Sequence, residues 1–144
     1  MTHSRKNRLI AAYTATRYCI ALPAGECVLR VGEGAPMLDQ WLRTQNCSSW
    51  AYLTADNPGS KHFSDADNAL RRSLLLERVA GASWMTCPGV AVSDNGDWAD
   101  EHGVLIAGIP QMDAIRLARE FGQNALLVGV VRLVGEAVEL CWVA

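Results

Sequence analysis

The segment 57–62 has the residue types best suited to binding a small anion. It reads Asn-Pro-Gly-Ser-Lys-His, follows an apolar run at 50–53 and precedes a helix start at Ser64. Backbone amides at a helix N terminus attract anions, Gly59 lets the backbone approach a ligand closely, and Lys61 adds positive charge. The segment therefore predicts a phosphate site formed by Asn57, Gly59, Ser60 and Lys61. A rigid turn that orients the helix is the alternative, since turns favour the same residue types, although it explains Asn57 least.

Two glutamates are candidates for general acid or base catalysis, which needs a carboxyl group of suitable pKa beside the substrate. The first, Glu101, lies in the acidic segment 97–102, next to His102 and a predicted buried strand. This segment could also ligate a cation, but no second histidine follows at a metal-ligand spacing, so we predict no metal and no cofactor. A solvated acidic loop is the alternative.

The second candidate is Glu77, because helical spacing over 64–80 places it among apolar residues. At about 100° per residue, the apolar arc contains Ala66, Ala69, Leu70, Leu74, Leu76 and Ala80. A carboxylate within such an arc has a raised pKa or pairs with an arginine. We prefer the ion pair, since structural pairs also perturb pKa values. Leu75 and Val79 fall outside the arc.

Gln123 and Asn124 lie between the end of a predicted helix and a predicted strand. Their side-chain amides could read a nucleobase edge or orient a ligand. They could equally satisfy the carbonyl groups that a helix end leaves without partners. Both alternatives remain open at this point.

Hydrophobic periodicity predicts the elements that must position these residues. Helices are predicted at 8–16, 36–45, 64–80 and 110–121, with Ser64 as an N-cap, Gly81 as a left-handed stop and Gly122 as the end of the last helix. Strands are predicted at 17–22, 26–31, 49–55, 84–92 with a break at 87–89, 102–109, 125–134 and 137–143. The last two form a predicted hairpin with a type II′ turn at Gly135-Glu136. This order predicts an α/β fold with strand–helix–strand units and helices packed on a mixed sheet, an α+β fold being the alternative.

Length and composition indicate a single domain over residues 1–144, with residues 1–7 as a flexible N terminus. Half of the residues are hydrophobic, 19% are charged and the net charge is −2, which argues against disorder and against nucleic-acid binding. No apolar run approaches the ~20 residues that span a bilayer, and no signal-peptide core follows the basic residues near the N terminus. Five scattered cysteines without a CxxC pair indicate reduced thiols in a cytoplasmic protein.

Motifs of dinucleotide-binding, P-loop and serine-hydrolase sites are missing from the sequence, but several segments together resemble a known family. These are 50–60 (Trp-Ala-Tyr-Leu-Thr-Ala-Asp-Asn-Pro-Gly-Ser), Asn68, Asp97-Trp98, Glu101 and 121–125 (Phe-Gly-Gln-Asn-Ala). The combination resembles the bacterial domain-of-unknown-function family 3293 over about residues 13–130. Members of that family tend to have an aromatic residue in place of Asp56 and a Pro-Ser pair in place of His102-Gly103. The resemblance implies no established activity, but it adds Asn68 to the candidate site residues.

We predict a cytoplasmic domain that binds a small phosphate-bearing or nucleotide-like ligand at the loop 57–61, with neighbours Asn68, Glu101, Gln123 and Asn124. The alternative is a protein-interaction module without catalysis, of an accessory or antitoxin-like type, that docks through a sheet edge. The last predicted strand, at 138–143, offers such an edge to a partner or to a second copy of the chain in a homodimer. The two hypotheses differ in the expected oligomeric state and in the response to small ligands.

Overall fold

The computed structural model describes residues 2–131 and 136–144, which form helices on a single sheet. The α-helices of this part of the chain are α1 (His3–Thr14), α2 (Pro36–Thr44), α3 (Asp65–Gly81) and α4 (Gln111–Glu120), and a 3₁₀ turn spans Pro58–Ser60. The strands are β1 (Thr16–Leu22), β2 (Gly25–Leu29), β3 (Ser49–Thr54), β4 (Met85–Ser93), β5 (Glu101–Ala107), β6 (Ala125–Val130) and β7 (Glu139–Trp142). Among the described helices, none has the length and apolar character that a membrane span requires.

The strands pair in the order β2-β1-β4-β5-β3-β6-β7. Every pairing between described strands is antiparallel. The predicted α/β class, with helices packed on a sheet and a C-terminal β6–β7 pair, is confirmed, whereas the sheet is not the expected mixture of parallel and antiparallel strands. Periodicity does not reveal strand direction, because a helix can connect two strands in either orientation. The predicted turn at Gly135-Glu136 begins outside the described residues.

Alternate residues of the strands contribute to two separate cores, one on each face of the sheet. On one face, Trp50 and Tyr52 of β3 pack in the same cluster as Leu38 and Leu42 of α2. On the other face, the intervening β3 residues pack with α3 and α4, in a cluster that contains Ala51, Leu53, Leu75, Val79, Ala114, Leu117 and Phe121. The sheet is therefore covered on both faces.

The ring of Tyr52 lies across two glycines of neighbouring strands. A Cβ atom at Gly89 of β4 would clash with the ring, and one at Gly103 of β5 would clash with its hydroxyl end. Gly89 and Gly103 are paired in register. Because neither glycine has a side chain, the space beside the pair is filled by the Tyr52 ring. The predicted break at 87–89 is wrong, because β4 continues through Pro88. Since the β1–β4 pairing reaches only to Gly89, Pro88 is not required to donate a hydrogen bond to β1.

The end strands of the sheet are β2 and β7. The segment that follows β2 and the segment that precedes β7 are hydrogen-bonded to each other. The amide of Gly32 donates to the carbonyl of Val138 at 2.8 Å, and the amide of Val138 donates to the carbonyl of Glu33 at 2.8 Å. An isolated bridge also pairs Gly34 with Ala137. Part of the sheet margin is therefore already hydrogen-bonded within the chain, which reduces the edge open to a partner.

The helix α3 begins as predicted but buries a different face. The Ser64 hydroxyl accepts from the amide of Asp67 at 3.1 Å, which confirms the N-cap. The left-handed residue beyond the helix is Ser83, with φ 62°, so the assignment of Gly81 is wrong. The buried residues of α3 are Asn68, Leu75 and Val79, and the whole predicted arc (Ala66, Ala69, Leu70, Leu74, Leu76 and Ala80) is exposed together with Glu77. Glu77 is thus not a buried carboxylate.

The helix α1 lies over one end of the sheet and is held by few contacts. It begins at His3 rather than at residue 8, and no residue in it is buried. Its tethers include a 2.9 Å hydrogen bond from Arg5 to the carbonyl of Gly59. The ammonium of Lys6 also lies 5.2 Å from the ring centroid of Trp142. The flexibility of residues 1–7 and the single-domain assignment stay predictions.

Candidate functional site

Asn57 connects the candidate loop to two other elements. It follows β3 in the left-handed conformation, with φ 48°, which asparagine tolerates better than most residues. Its Oδ1 accepts from the amide of Phe63 at 2.9 Å and from Nδ2 of Asn68 at 3.0 Å, while its Nδ2 donates to Oε2 of Glu101 at 2.7 Å. Its backbone amide donates to Oδ1 of Asn68 at 2.9 Å. Asn57 therefore fixes the loop and orients Glu101.

The backbone amides of the loop are used within the protein. The amide of Gly59 donates to the carbonyl of Gly122 at 2.8 Å, that of Ser60 to Asn57 at 2.9 Å, and that of Lys61 to Pro58 at 3.3 Å. A Cβ atom at Gly59 would meet no atom within 4 Å, so its positive φ of 67° is the reason for glycine here. These three loop amides are therefore not free to bind a phosphate group, and the rigid-turn alternative explains the loop backbone.

Behind the loop, Asp56 forms a buried ion pair that sequence analysis missed. Its side chain is 1% exposed and receives two hydrogen bonds from Arg72, both of 2.8 Å. The backbone amide of His102 donates to the same carboxylate at 3.1 Å, whereas the His102 side chain is exposed. The hydrogen bonds that Arg72 donates to Asp56 raise the pKa of the Arg72 guanidinium. The position of Asp56 directly after a buried strand was the one signal in the sequence for a buried carboxylate. Its partner Arg72 lies 16 residues further along the chain, so the sequence did not indicate the pair.

Gln123 and Asn124 are both buried and both hold the loop. Nε2 of Gln123 donates to the carbonyl of Asp56 at 3.1 Å and to that of Phe121, at the end of α4, at 3.3 Å. Nδ2 of Asn124 donates to Oγ of Ser60 at 2.8 Å. Gln123 thus satisfies a carbonyl group at the end of a helix, which is one of the two alternatives expected. The side-chain amide of Asn124 positions Ser60.

A cavity of about 300 Å³ lies between α1, the sheet and the loop. Most of its wall is apolar or aromatic, with residues such as Leu9, Ala12, Tyr13, Tyr18, Tyr52, Trp98, Ala99, Leu127 and Leu140. Of the predicted site residues, the cavity is lined by Asn57, Ser60, Lys61, Glu101 and Gln123. Asn68 and Asn124 support these residues from behind, whereas the exposed Glu77 lies elsewhere on α3.

Glu101 is the carboxylate among the residues that line this cavity. Burial raises the pKa of its carboxyl group, the hydrogen bond from Asn57 lowers it, and the nearby charge of Asp56 raises it further. Within residues 2–131 and 136–144, its carboxylate forms no salt bridge. A half-buried carboxyl group with a raised pKa can accept or release a proton beside a bound molecule.

Tyr52 is one of the lining residues, but its hydroxyl is enclosed by the protein. Its side chain is 3% exposed, and its hydroxyl has no hydrogen-bond partner in the described part of the chain. Burial raises the pKa of this phenol above its ordinary value, so it remains a neutral donor. A buried polar group without a partner costs free energy in the folded state. The hydroxyl lies against Gly103 and has almost no accessible surface, so the polar groups open to the cavity come from other lining residues.

The aromatic residues of the cavity were not recognised as site residues from the sequence. Tyr13, Tyr18, Tyr52 and Trp98 come from four separate parts of the chain, and no spacing rule relates them. The rings of Tyr18 and Tyr52 meet edge to face, with centroids 5.6 Å apart. Among the described residues, no group of three or more His, Cys, Asp and Glu side chains could hold a metal ion.

Comparison with known proteins identifies a family match. Residues 53–126 match the model of a family described as "Protein of unknown function (DUF3293)". This range covers just over half of the chain and includes the loop, Asn68, Trp98, Glu101 and Gln123. No curated protein and no solved structure matches the chain.

Proposed function

Because the chain belongs to the DUF3293 family, whose function is unknown, we propose from its geometry that it binds a small organic ligand in the cavity beneath α1. The observation that carries the proposal is the cavity itself, whose mainly apolar and aromatic wall also contains Asn57, Ser60 and Glu101. Known ligand sites have volumes of roughly 300–1,000 Å³ and mainly apolar walls with a few polar groups. The cavity, at about 300 Å³, is at the lower end of that range.

Loop 57–61 serves this proposal as a scaffold for the cavity. Its residues Asn57 and Ser60 line the cavity, while hydrogen bonds from Asn68 and Asn124 hold them in place. Three residues of the loop have positive φ, namely Asn57, Gly59 and Ser60. Left-handed conformations of residues other than glycine cost free energy and cluster at functional sites. This concentration at the cavity mouth supports a binding role.

A phosphate-bearing or nucleotide-like ligand is the more specific form of the proposal. Since the loop amides have internal partners, a phosphate group would have to contact the side chains of Lys61 and His62, which are exposed at the cavity rim. The planar part of such a ligand would occupy the aromatic interior. If the ligand is a substrate, Glu101 is the general acid or base candidate.

A thermal-shift screen with a cavity-filling variant tests the proposal. We would screen nucleotides, nucleosides and phosphorylated metabolites against the wild type, Ala12→Trp and Ala80→Trp. Ala12 lines the cavity, whereas Ala80 is exposed on α3 and serves as the control. A ligand at about 100 times its Kd should stabilise the wild type and the control by ~2.7 kcal/mol and leave Ala12→Trp unchanged. A flat response of the wild type across the panel would overturn the proposal.

Docking through a sheet edge is the second candidate. Within the described residues, β7 pairs with β6 alone, and Val28 on the opposite end strand β2 is 48% exposed. An exposed strand edge can pair with a partner or a second copy. Light scattering after size exclusion should then show a dimer that Val28→Lys weakens, and a monomer at all concentrations would count against this candidate.

We also propose that the protein works in a reducing compartment such as the cytoplasm. The five cysteines are free thiols, and Cys27 and Cys87 are buried. Burial raises the pKa of the Cys27 thiol to about 11, which keeps it protonated and weakly reactive. Labelling of unreduced cell extract with a thiol reagent would test this, because any disulfide in the native protein contradicts it.

A further inference from the structure

Glu101 is a negative charge without an ion-pair partner among the described residues. The guanidinium of Arg72 is near enough to lower the pKa of Glu101, but it is bound to Asp56 through two 2.8 Å hydrogen bonds. The one side-chain hydrogen bond that Glu101 receives from the described residues comes from the neutral amide of Asn57, at 2.7 Å. That bond occupies Oε2, so Oε1 has no described partner. A partly buried carboxylate in this state is poorly compensated.

The walls around this charge are aromatic. The cavity is bounded by the rings of Tyr13, Tyr18, Tyr52 and Trp98. The faces of aromatic rings carry partial negative charge and attract organic cations, by about 0.5–1 kcal/mol when exposed and more when desolvated. A carboxylate among several aromatic rings is therefore complementary to a positive ligand and repels a negative one.

We propose that the ligand of this cavity carries a cationic nitrogen, of the amidinium, guanidinium or alkylammonium class, that binds Glu101 among the aromatic side chains. The inference rests on the proposed small-molecule function and specifies its ligand. Lys61, the cation among the lining residues, is exposed, as is His62, so the Lys61 charge remains in water while Glu101 is partly buried. An anionic group on the same ligand would project outwards to these two residues.

Matched pairs of probes separate charge from shape. Benzamidine and benzamide are both planar and aromatic, but only the first is a cation at neutral pH. Choline and 3,3-dimethylbutan-1-ol are a second pair of similar shape that differs in charge. We would measure their binding to the full chain by NMR titration of backbone amides, with Glu101→Gln as the neutral variant. Glu77→Gln, exposed on α3, is the control that removes the same charge outside the cavity.

We expect each cation to bind the wild type and Glu77→Gln at least roughly tenfold more tightly than its neutral counterpart, equivalent to 1.4 kcal/mol. In Glu101→Gln the preference should fall to within about twofold, since glutamine keeps the shape without the charge. The comparison of the cation with the neutral probe of the same pair in the wild type requires no variant, so it is valid even if Glu101→Gln fails to fold.

Equal binding of cation and neutral probe would overturn this inference and leave the proposed small-molecule site intact. A cation preference that persists in Glu101→Gln would also overturn it, because the charge would then be recognised elsewhere. If none of the four probes binds while nucleosides stabilise the wild type but not Ala12→Trp, the cation inference fails and the proposed small-molecule function stands. If nothing in either panel binds, both the inference and the proposed function fail.

Discussion

Replacing Asn57 by alanine removes the side chain that joins the loop, α3 and Glu101. The side chain makes three hydrogen bonds, to Phe63, Asn68 and Glu101. Two bonds between neutral groups contribute about 0.5–1 kcal/mol each, and the bond to a charged carboxylate contributes about 1.5–2 kcal/mol. Alanine also has to adopt the left-handed conformation, at a further cost of about 1 kcal/mol. The Asn57→Ala variant should therefore lose about 4 kcal/mol of unfolding free energy.

Asn57→Gly separates these two contributions. Glycine loses the same hydrogen bonds but adopts the observed φ of 48° without a steric penalty. The glycine variant should therefore lose about 3 kcal/mol and be more stable than the alanine variant by about 1 kcal/mol. This order is the reverse of that at an ordinary site, where alanine is the more stable of the two.

The measurement is urea unfolding of the two variants and the wild type, supported by calorimetry. At about 2.1 cal/mol/K per residue, the 144 residues have an unfolding entropy of about 0.3 kcal/mol/K. The Tm should fall by about 13 °C for alanine and about 10 °C for glycine. A loss below about 1 kcal/mol in both variants, or an alanine variant more stable than glycine, would show that the loop does not depend on this side chain.

Three further predictions concern the surroundings of the loop. Arg72→Met leaves the buried Asp56 without its cation and should cost about 2–4 kcal/mol, discounted because Arg72 is 35% exposed. Adding Asp56→Asn should recover part of that loss, and a double variant as unstable as the sum of both single variants would contradict the pairing. Burial raises the pKa of Glu101 above its unfolded value, so the folded state binds the extra proton and stability falls as pH rises between the two pKa values. Glu101→Gln should lack this decline in urea unfolding measured from pH 4 to 8, and an unchanged slope would argue against a titrating Glu101. Gly103→Ala places a methyl group against the Tyr52 hydroxyl and the Leu53 carbonyl oxygen and should cost about 1–3 kcal/mol. Tyr52→Ala removes only the first of these clashes, so the double variant should recover part of the loss, and no recovery would contradict the contact with Tyr52.

Local features of the fold were predictable because they depend on nearby residues. The N-cap at Ser64 requires only the amide three positions along the chain, and its 3.1 Å hydrogen bond to Asp67 was expected. Gly122 was also predicted to end the fourth helix, and it follows α4 with φ 68°. Strand order was not predictable, because it depends on pairings such as that of Trp50 with Ala107, far along the chain.

The buried face of α3 shows a different kind of error. Apolar residues outnumber polar ones in the predicted arc, but the helix instead buries Leu75 and Val79 and turns Arg71 and Arg72 towards the loop. Arg71 donates to the carbonyls of Ala55 and Phe121, at 2.9 and 2.6 Å. Hydrogen bonds from Arg71 and Arg72 to buried carbonyl and carboxylate groups therefore determine the orientation of this helix. A hydrophobicity pattern contains no information about such hydrogen bonds.

The candidate site was predicted better in its position than in its chemistry. The residues around Asn57, Glu101 and Gln123 do meet at one cavity. Their amides were expected to contact a ligand, but they have partners within the protein, since Asn68 donates to Asn57 and Asn124 donates to Ser60. A single sequence cannot distinguish an amide that binds a ligand from one that binds another amide.

The weak attachment of α1 has a consequence for how binding could be observed. The helix forms part of the cavity wall through Leu9, Ala12 and Tyr13, yet none of its residues is buried. Segments with few buried contacts open locally at a free energy well below that of global unfolding. In amide hydrogen exchange, α1 should therefore exchange sooner than β3 and β5 at the centre of the sheet. A molecule enclosed by α1 must slow that early exchange, so the protection of a single helix reports on occupancy of the cavity even when the ligand is unknown.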